Sequence, residues 1–72
     1  MDSPKFGIEM GKRIKQIREE ANLTQAQVAK KAGMKANYFA VIERGEVVTS
    51  SEKIKNIANA LGVDISRITN PK

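Results

Sequence analysis

The stretch TQAQVAKKAGMKANYFAVIERG, residues 24–45, decides the fold of this chain. Thr24 is a favoured N-cap, and Gln27, three residues on, can complete a capping box, so a helix is expected over about 24–31. Val28 and Ala29 give that helix its apolar face. Gly33 tolerates positive φ and marks a tight turn. A second helix is expected from about Lys35 to Arg44, with Phe39 and Ile42 spaced i, i+3 and Gly45 where a C-terminal cap belongs.

Two short helices joined by a Gly-containing turn form a helix-turn-helix, a device that presents its second helix to the major groove of DNA. Upstream, Met10, Ile14, Ile17 and Ala21 recur at helical period and predict a helix from Ile8 to about Ala21, with Asn22 as its stop. Residues 1–7, with Pro4 and Gly7 and no periodic pattern, are expected to form a flexible arm. Downstream, 45–51 reads as a loop, with Val47 and Val48 favouring an extended path. Ser50 or Thr49 caps the next helix, whose stripe is Ile54, Ile57, Ala58 and Leu61 and whose end is Gly62. Asp64 can cap a last short helix, ISRI, ended by Asn70-Pro71. The expected fold class is all-α: a compact five-helix domain over residues 1–72 with no strand.

Composition narrows the function. Seventy-two residues leave little room for a second core. There is no cysteine and no histidine, so a metal site would rest on carboxylates alone, and neither a metal nor a cofactor is expected. With no Gly-rich phosphate loop and no paired carboxylate motif either, an enzyme is not expected. No apolar run is long enough to span a membrane, and the start lacks the apolar stretch of a signal peptide, which points to the cytoplasm. The net charge of +5 and pI near 9.8 fit a nucleic-acid partner. Lys12, Arg13, Lys15 and Arg18 crowd the first helix, and Lys30, Lys31 and Lys35 flank the turn. Charge runs are usually solvated faces; that reading is preferred for Lys15 and left open for Lys12 and Arg13.

Several spaced segments share one order: GKRIKQIR at 11–18, L-T-Q-x-x-V-A at 23–29, G-M at 33–34, Y-F-x-x-I-E-R-G at 38–45 and I-x-x-I-A-x-A-L-G-V at 54–63. In this the chain resembles the helix-turn-helix family of phage repressors and Cro proteins, including the controller proteins of restriction-modification systems. The resemblance implies a five-helix domain that binds operator DNA, usually as a two-fold dimer. It implies a reading face of Lys35, Ala36, Asn37, Ala40 and Val41 on the second motif helix. Of these, Asn37 is the one with an amide that can pair bidentately with adenine, and Val41 stands where a polar residue is usual. It further implies phosphate contacts from Gln25, beside Thr24 at the start of the first motif helix, and from Arg44. Tyr38 could bond a phosphate or only pack against its neighbours. Arg18 and Glu43 recur in the family as a largely buried ion pair, a structural role. Glu46 stands where many relatives carry Lys and opposes phosphate.

The expected function is sequence-specific binding of double-stranded DNA to regulate transcription, by a homodimer on a near-palindromic site, with RNA polymerase as a further partner if it activates. Val63, Ile65 and Ile68 form an apolar patch that either makes the dimer contact or closes the monomer core. The alternative is a protein-interaction module of the same fold, an antitoxin or adaptor, since the reading face is poor in hydrogen-bonding groups.

Overall fold

The computed structural model describes residues 4–70 and consists, among these, of five helices and no strand. They are α1 (Pro4–Glu20), α2 (Gln25–Ala32), α3 (Ala36–Glu43), α4 (Ser51–Leu61) and α5 (Ser66–Thr69). The first helix begins at Pro4, earlier than the apolar period indicates, so residues 4–7 are helical and not an arm; Met1–Ser3 lie outside the described residues. Proline suits a first helical position, where its missing N–H has no partner to lose. Gly7 lies buried inside this helix, with Val48 and the Gly45 carbonyl beside it.

Four helices end in the same way. Asn22, Gly33, Gly45 and Gly62 each adopt a left-handed conformation, with φ between 59° and 76°. After each, the chain turns back to bond the carbonyls of the last turn, as when Met34 N–H donates to Ala29 at 2.9 Å and Glu46 N–H to Val41 at 3.1 Å. At the other ends, α2 and α4 are capped by side-chain oxygens. Thr24 Oγ1 accepts the Gln27 N–H at 3.1 Å while Gln27 Oε1 accepts the Thr24 N–H at 2.8 Å, completing the capping box. Ser50, not Thr49, caps α4, accepting from Lys53 N–H at 3.2 Å. Asp64 accepts the Ser66 N–H at 3.2 Å, which starts α5 one residue later than its apolar pattern implies. The Ser66 hydroxyl, donating to the same carboxylate, and then this backbone bond hold the Asp64 carboxyl below the usual carboxylate range.

The core collects the apolar stripe of every helix: Met10, Ile14 and Ile17 from α1, Val28, Ala29 and Ala32 from α2, Phe39 and Ile42 from α3, Ile54, Ile57, Ala58 and Leu61 from α4, and Ile68 from α5. Packing runs α2 on α4, and α1 on α3 and α5. The approach of α1 to α3 depends on two glycines. A Cβ at Gly11 would overlap the carbonyl oxygens of Ile42 and Glu43, and one at Gly45 would overlap the backbone of Ile8. No helix among the described residues is long and apolar enough to cross a membrane.

Candidate nucleic-acid interface

The motif helices α2 and α3 are joined by three residues, Gly33, Met34 and Lys35, with Gly33 at φ 75°. Met34, in the middle of the turn, packs against the core. Lys35 is the N-cap of α3; its ammonium has no lone pair with which to cap, and the residue is exposed. Ala36 and Asn37 are exposed on the first turn, and Ala40 and Val41 are half-buried on the next. The opposite face of α3 carries Phe39 and Ile42, both fully buried. Ala36, Asn37, Ala40 and Val41 thus lie on the side of α3 away from Phe39 and Ile42, and Lys35 precedes the first turn.

That helix is fixed by a polar clamp. Arg18 Nε donates to Glu43 Oε2 at 2.6 Å and Nη2 to Oε1 at 3.2 Å, while Nη1 holds the Leu23 carbonyl at 2.8 Å. Gln25 Nε2 donates to Glu43 Oε1 at 2.9 Å. One carboxylate on α3 therefore ties to α1 and α2 together. The Glu43 side chain is 2% exposed and that of Arg18 11%, so the pair is largely withdrawn from water. The bond to Glu43 also raises the Arg18 pKa above its ordinary value, more than burial lowers it. Arg18 and Glu43 thus form a largely buried ion pair, and Gln25 joins it.

Tyr38 points along the helix to the following loop, where its hydroxyl meets Thr49 Oγ1 at 2.9 Å. Thr49 is buried, and this bond satisfies it. Tyr38 thus packs against the core and anchors the loop. Arg44 is exposed and forked onto Glu46, at 2.8 Å from Nε and 3.2 Å from Nη2. The guanidinium holds the Glu46 carboxyl below the usual glutamate range, and Glu46 raises Arg44 in turn. Glu46, expected to oppose phosphate, is thereby bound to Arg44, expected to hold it.

The apolar patch near the chain's end divides. Val63 and Ile65 are half-buried. Ile68 is fully buried between α5 and the core and has no surface to offer a partner, so it closes the monomer instead. Arg13, left open from sequence, donates from Nε to the Ile68 carbonyl at 2.7 Å and secures the last helix to the first. Sequence reasoning also missed Gly11 and Thr49. An isolated glycine inside a helical stripe is a signal of close backbone approach, which was there for Gly11; for Thr49 no local signal exists.

The chain is similar to known proteins in sequence and in fold. The family described as "Helix-turn-helix domain" matches residues 9–68. The immunity repressor protein of Bacillus phage phi105 is 44% identical over 59 residues, covering 82% of this chain and 41% of that protein. Multiprotein-bridging factor 1 of Candida albicans is 33% identical over 61 residues, covering 85% of this chain and 40% of that protein. Less than half of each of these two relatives is therefore spanned. The crystal structure of the restriction-modification controller protein C.AhdI from Aeromonas hydrophila superposes with a TM-score of 0.83 at 26% identity, over 85% of this chain and 92% of that one. From motif spacing, fold and matched length alike, the chain belongs to the helix-turn-helix domain family.

Proposed function

We propose that this chain is a sequence-specific double-stranded-DNA-binding regulator of transcription that reads the major groove with α3. The observation that carries the reading is the clamp: a buried carboxylate on α3, held from α1 and α2, fixes an exposed helix face that the core does not need. On that face Asn37 takes an adenine edge, Ala36, Ala40 and Val41 meet thymine methyls, and Lys35 adds charge at the rim. With so few hydrogen-bonding groups, DNA shape carries much of the selectivity. The start of α2, at Thr24 and Gln25, faces phosphate with the backbone N–H groups that the capping box leaves open, that of Gln25 first.

The fold measures 31 × 24 × 19 Å, shorter than one turn of duplex at about 34 Å, so a single copy reaches one groove. A homodimer on a near-palindromic site would place two α3 helices one turn apart, with Val63 and Ile65 at the two-fold axis. Such a protein acts in the cytoplasm by occupancy: repression where the site overlaps a promoter, activation where the bound dimer touches RNA polymerase. The likeness to the phage immunity repressor and the controller protein supports this regulatory reading.

A second reading, a protein-interaction module of the same fold, is favoured by the likeness to multiprotein-bridging factor 1 and by the hydrogen-bond-poor face of α3. A salt-dependent gel shift on random genomic fragments separates the two. The regulator retains a subset of fragments at raised salt. The module retains none, or all equally weakly.

A further inference from the structure

Ile8, Lys12 and Lys15 form a stripe on α1 at i, i+4, i+7, and this stripe is one wall of a surface cleft. Gln25 from the first turn of α2, with Glu43 and Arg44 from the end of α3, forms the other. Glu43, the acid that lines the cleft, is taken by Arg18 and Gln25, and Glu46 is taken by Arg44, while Glu9 and Glu19, one turn from the lysines along α1, pair with neither of them. Lys12 and Lys15 are exposed, and neither has an acidic partner among the described residues. Like charges one helical turn apart repel and destabilise the helix that carries them. The apolar packing of α1, through Met10, Ile14 and Ile17, requires neither charge. An anion in the cleft removes the repulsion. Gln25 retains one amide N–H beyond the one given to Glu43, and it lines the same space.

We propose that this cleft seats a backbone phosphodiester of DNA, held by Lys12 and Lys15 of α1 together with the Gln25 amide. The proposal rests on the DNA-binding reading and deepens it, because it brings the first helix into the interface. Lysine suits the task as a mobile point charge for a phosphate oxygen. The cleft adjoins the last turn of α3, so a duplex with α3 in its groove runs one strand past it.

The test compares wild type, the double variant Lys12→Gln/Lys15→Gln and the control Lys55→Gln, an exposed, unpaired lysine on α4. Glutamine keeps the helix propensity of lysine. Duplex binding is measured by anisotropy across a salt series. Loss of one seated phosphate should flatten the slope of log K against log salt by about 0.9 in the double variant, with the control unchanged. A double variant with the wild-type slope, or a control that falls equally per charge removed, overturns the proposal. A second arm adds inorganic tripolyphosphate and follows backbone amides by NMR. Shifts at Lys12, Lys15 and Gln25 that vanish in the double variant support the seat. If the wild type binds no duplex, the functional reading fails, and DNA as the source of the phosphate fails with it. Lysine-dependent tripolyphosphate shifts would then keep the cleft as a phosphate site, and their absence would remove the site as well.

Discussion

Arg18 and Glu43, twenty-five positions apart, meet as a forked pair in which both carboxylate oxygens accept from one guanidinium, at 2.6 and 3.2 Å. Glu43 is the last residue of α3, so the pair sets how the exposed face of that helix sits on the rest of the fold. Replacing Glu43 with Ala leaves Arg18 charged, with the Leu23 carbonyl and an exposed Glu19 carboxylate 4.0 Å away, and removes the acceptor of Gln25. The expected destabilisation is about 3–5 kcal/mol. Thermal unfolding should register it as a fall of more than about ten degrees in a domain of this size. A melting temperature within about a degree of wild type would contradict the burial of the pair.

Much of this arrangement is legible in the sequence, for local reasons. Thr24 with Gln27, Gly33, Gly45, and the stripe of Ile54, Ile57, Ala58 and Leu61 each act within a turn or two of helix, so composition and period expose them. The start of α1 was not legible. Pro4 and Gly7 read as breakers, yet proline is neutral at a first helical position and Gly7 packs beside the 45–48 loop. Ile68 has the same look as Ile65, and burial separates them through the docking of α5 on α1, a long-range contact that no local pattern encodes. The partners of Tyr38 and Arg44 depended likewise on where the loop after α3 runs.

Tyr38→Phe isolates the loop anchor. Removing the hydroxyl leaves the buried Thr49 oxygen without its partner, at an expected cost of about 1–2 kcal/mol by denaturant unfolding. If Tyr38 serves only as an anchor, the salt slope of DNA binding stays at the wild-type value. A variant of unchanged stability with a flatter slope would make the tyrosine a phosphate contact instead.

Glu46→Gln should release Arg44. Duplex affinity is then expected to rise and its salt dependence to steepen, because the freed guanidinium gains a phosphate. In an Arg44→Gln background the same change at Glu46 should lose most of that gain. The sign of the pH effect follows from the lowered Glu46 carboxyl. The stabilisation from the pair is complete above the ordinary glutamate range and fades as pH falls through the depressed value. NMR titration of the Glu46 carboxyl should show its midpoint move up in Arg44→Gln. An unmoved midpoint would mean that the pair does not form in solution.

Ile65→Asp and Ile68→Asp should part company. Ile68 is fully buried, and a carboxylate there should unfold the chain. Ile65 is half-exposed, and its aspartate variant should stay folded, lose tight binding to a full palindrome and keep weak, salt-sensitive binding to a half-site. Sedimentation of the wild type checks the premise. A protein that stays monomeric at high concentration and binds its palindrome without cooperativity would remove Val63 and Ile65 from any dimer contact.

The central claim is that α3 reads base sequence. Selection of bound duplexes from a random pool, run in parallel with wild type and Asn37→Ala, tests it most directly. The account predicts a near-palindromic consensus for wild type, with half-site centres about one helical turn apart, and for Asn37→Ala the same consensus with preference relaxed at one base pair of each half-site and affinity lower by about 1–3 kcal/mol. A wild-type pool that enriches no sequence, or an Asn37→Ala pool identical to the wild-type one, would contradict it.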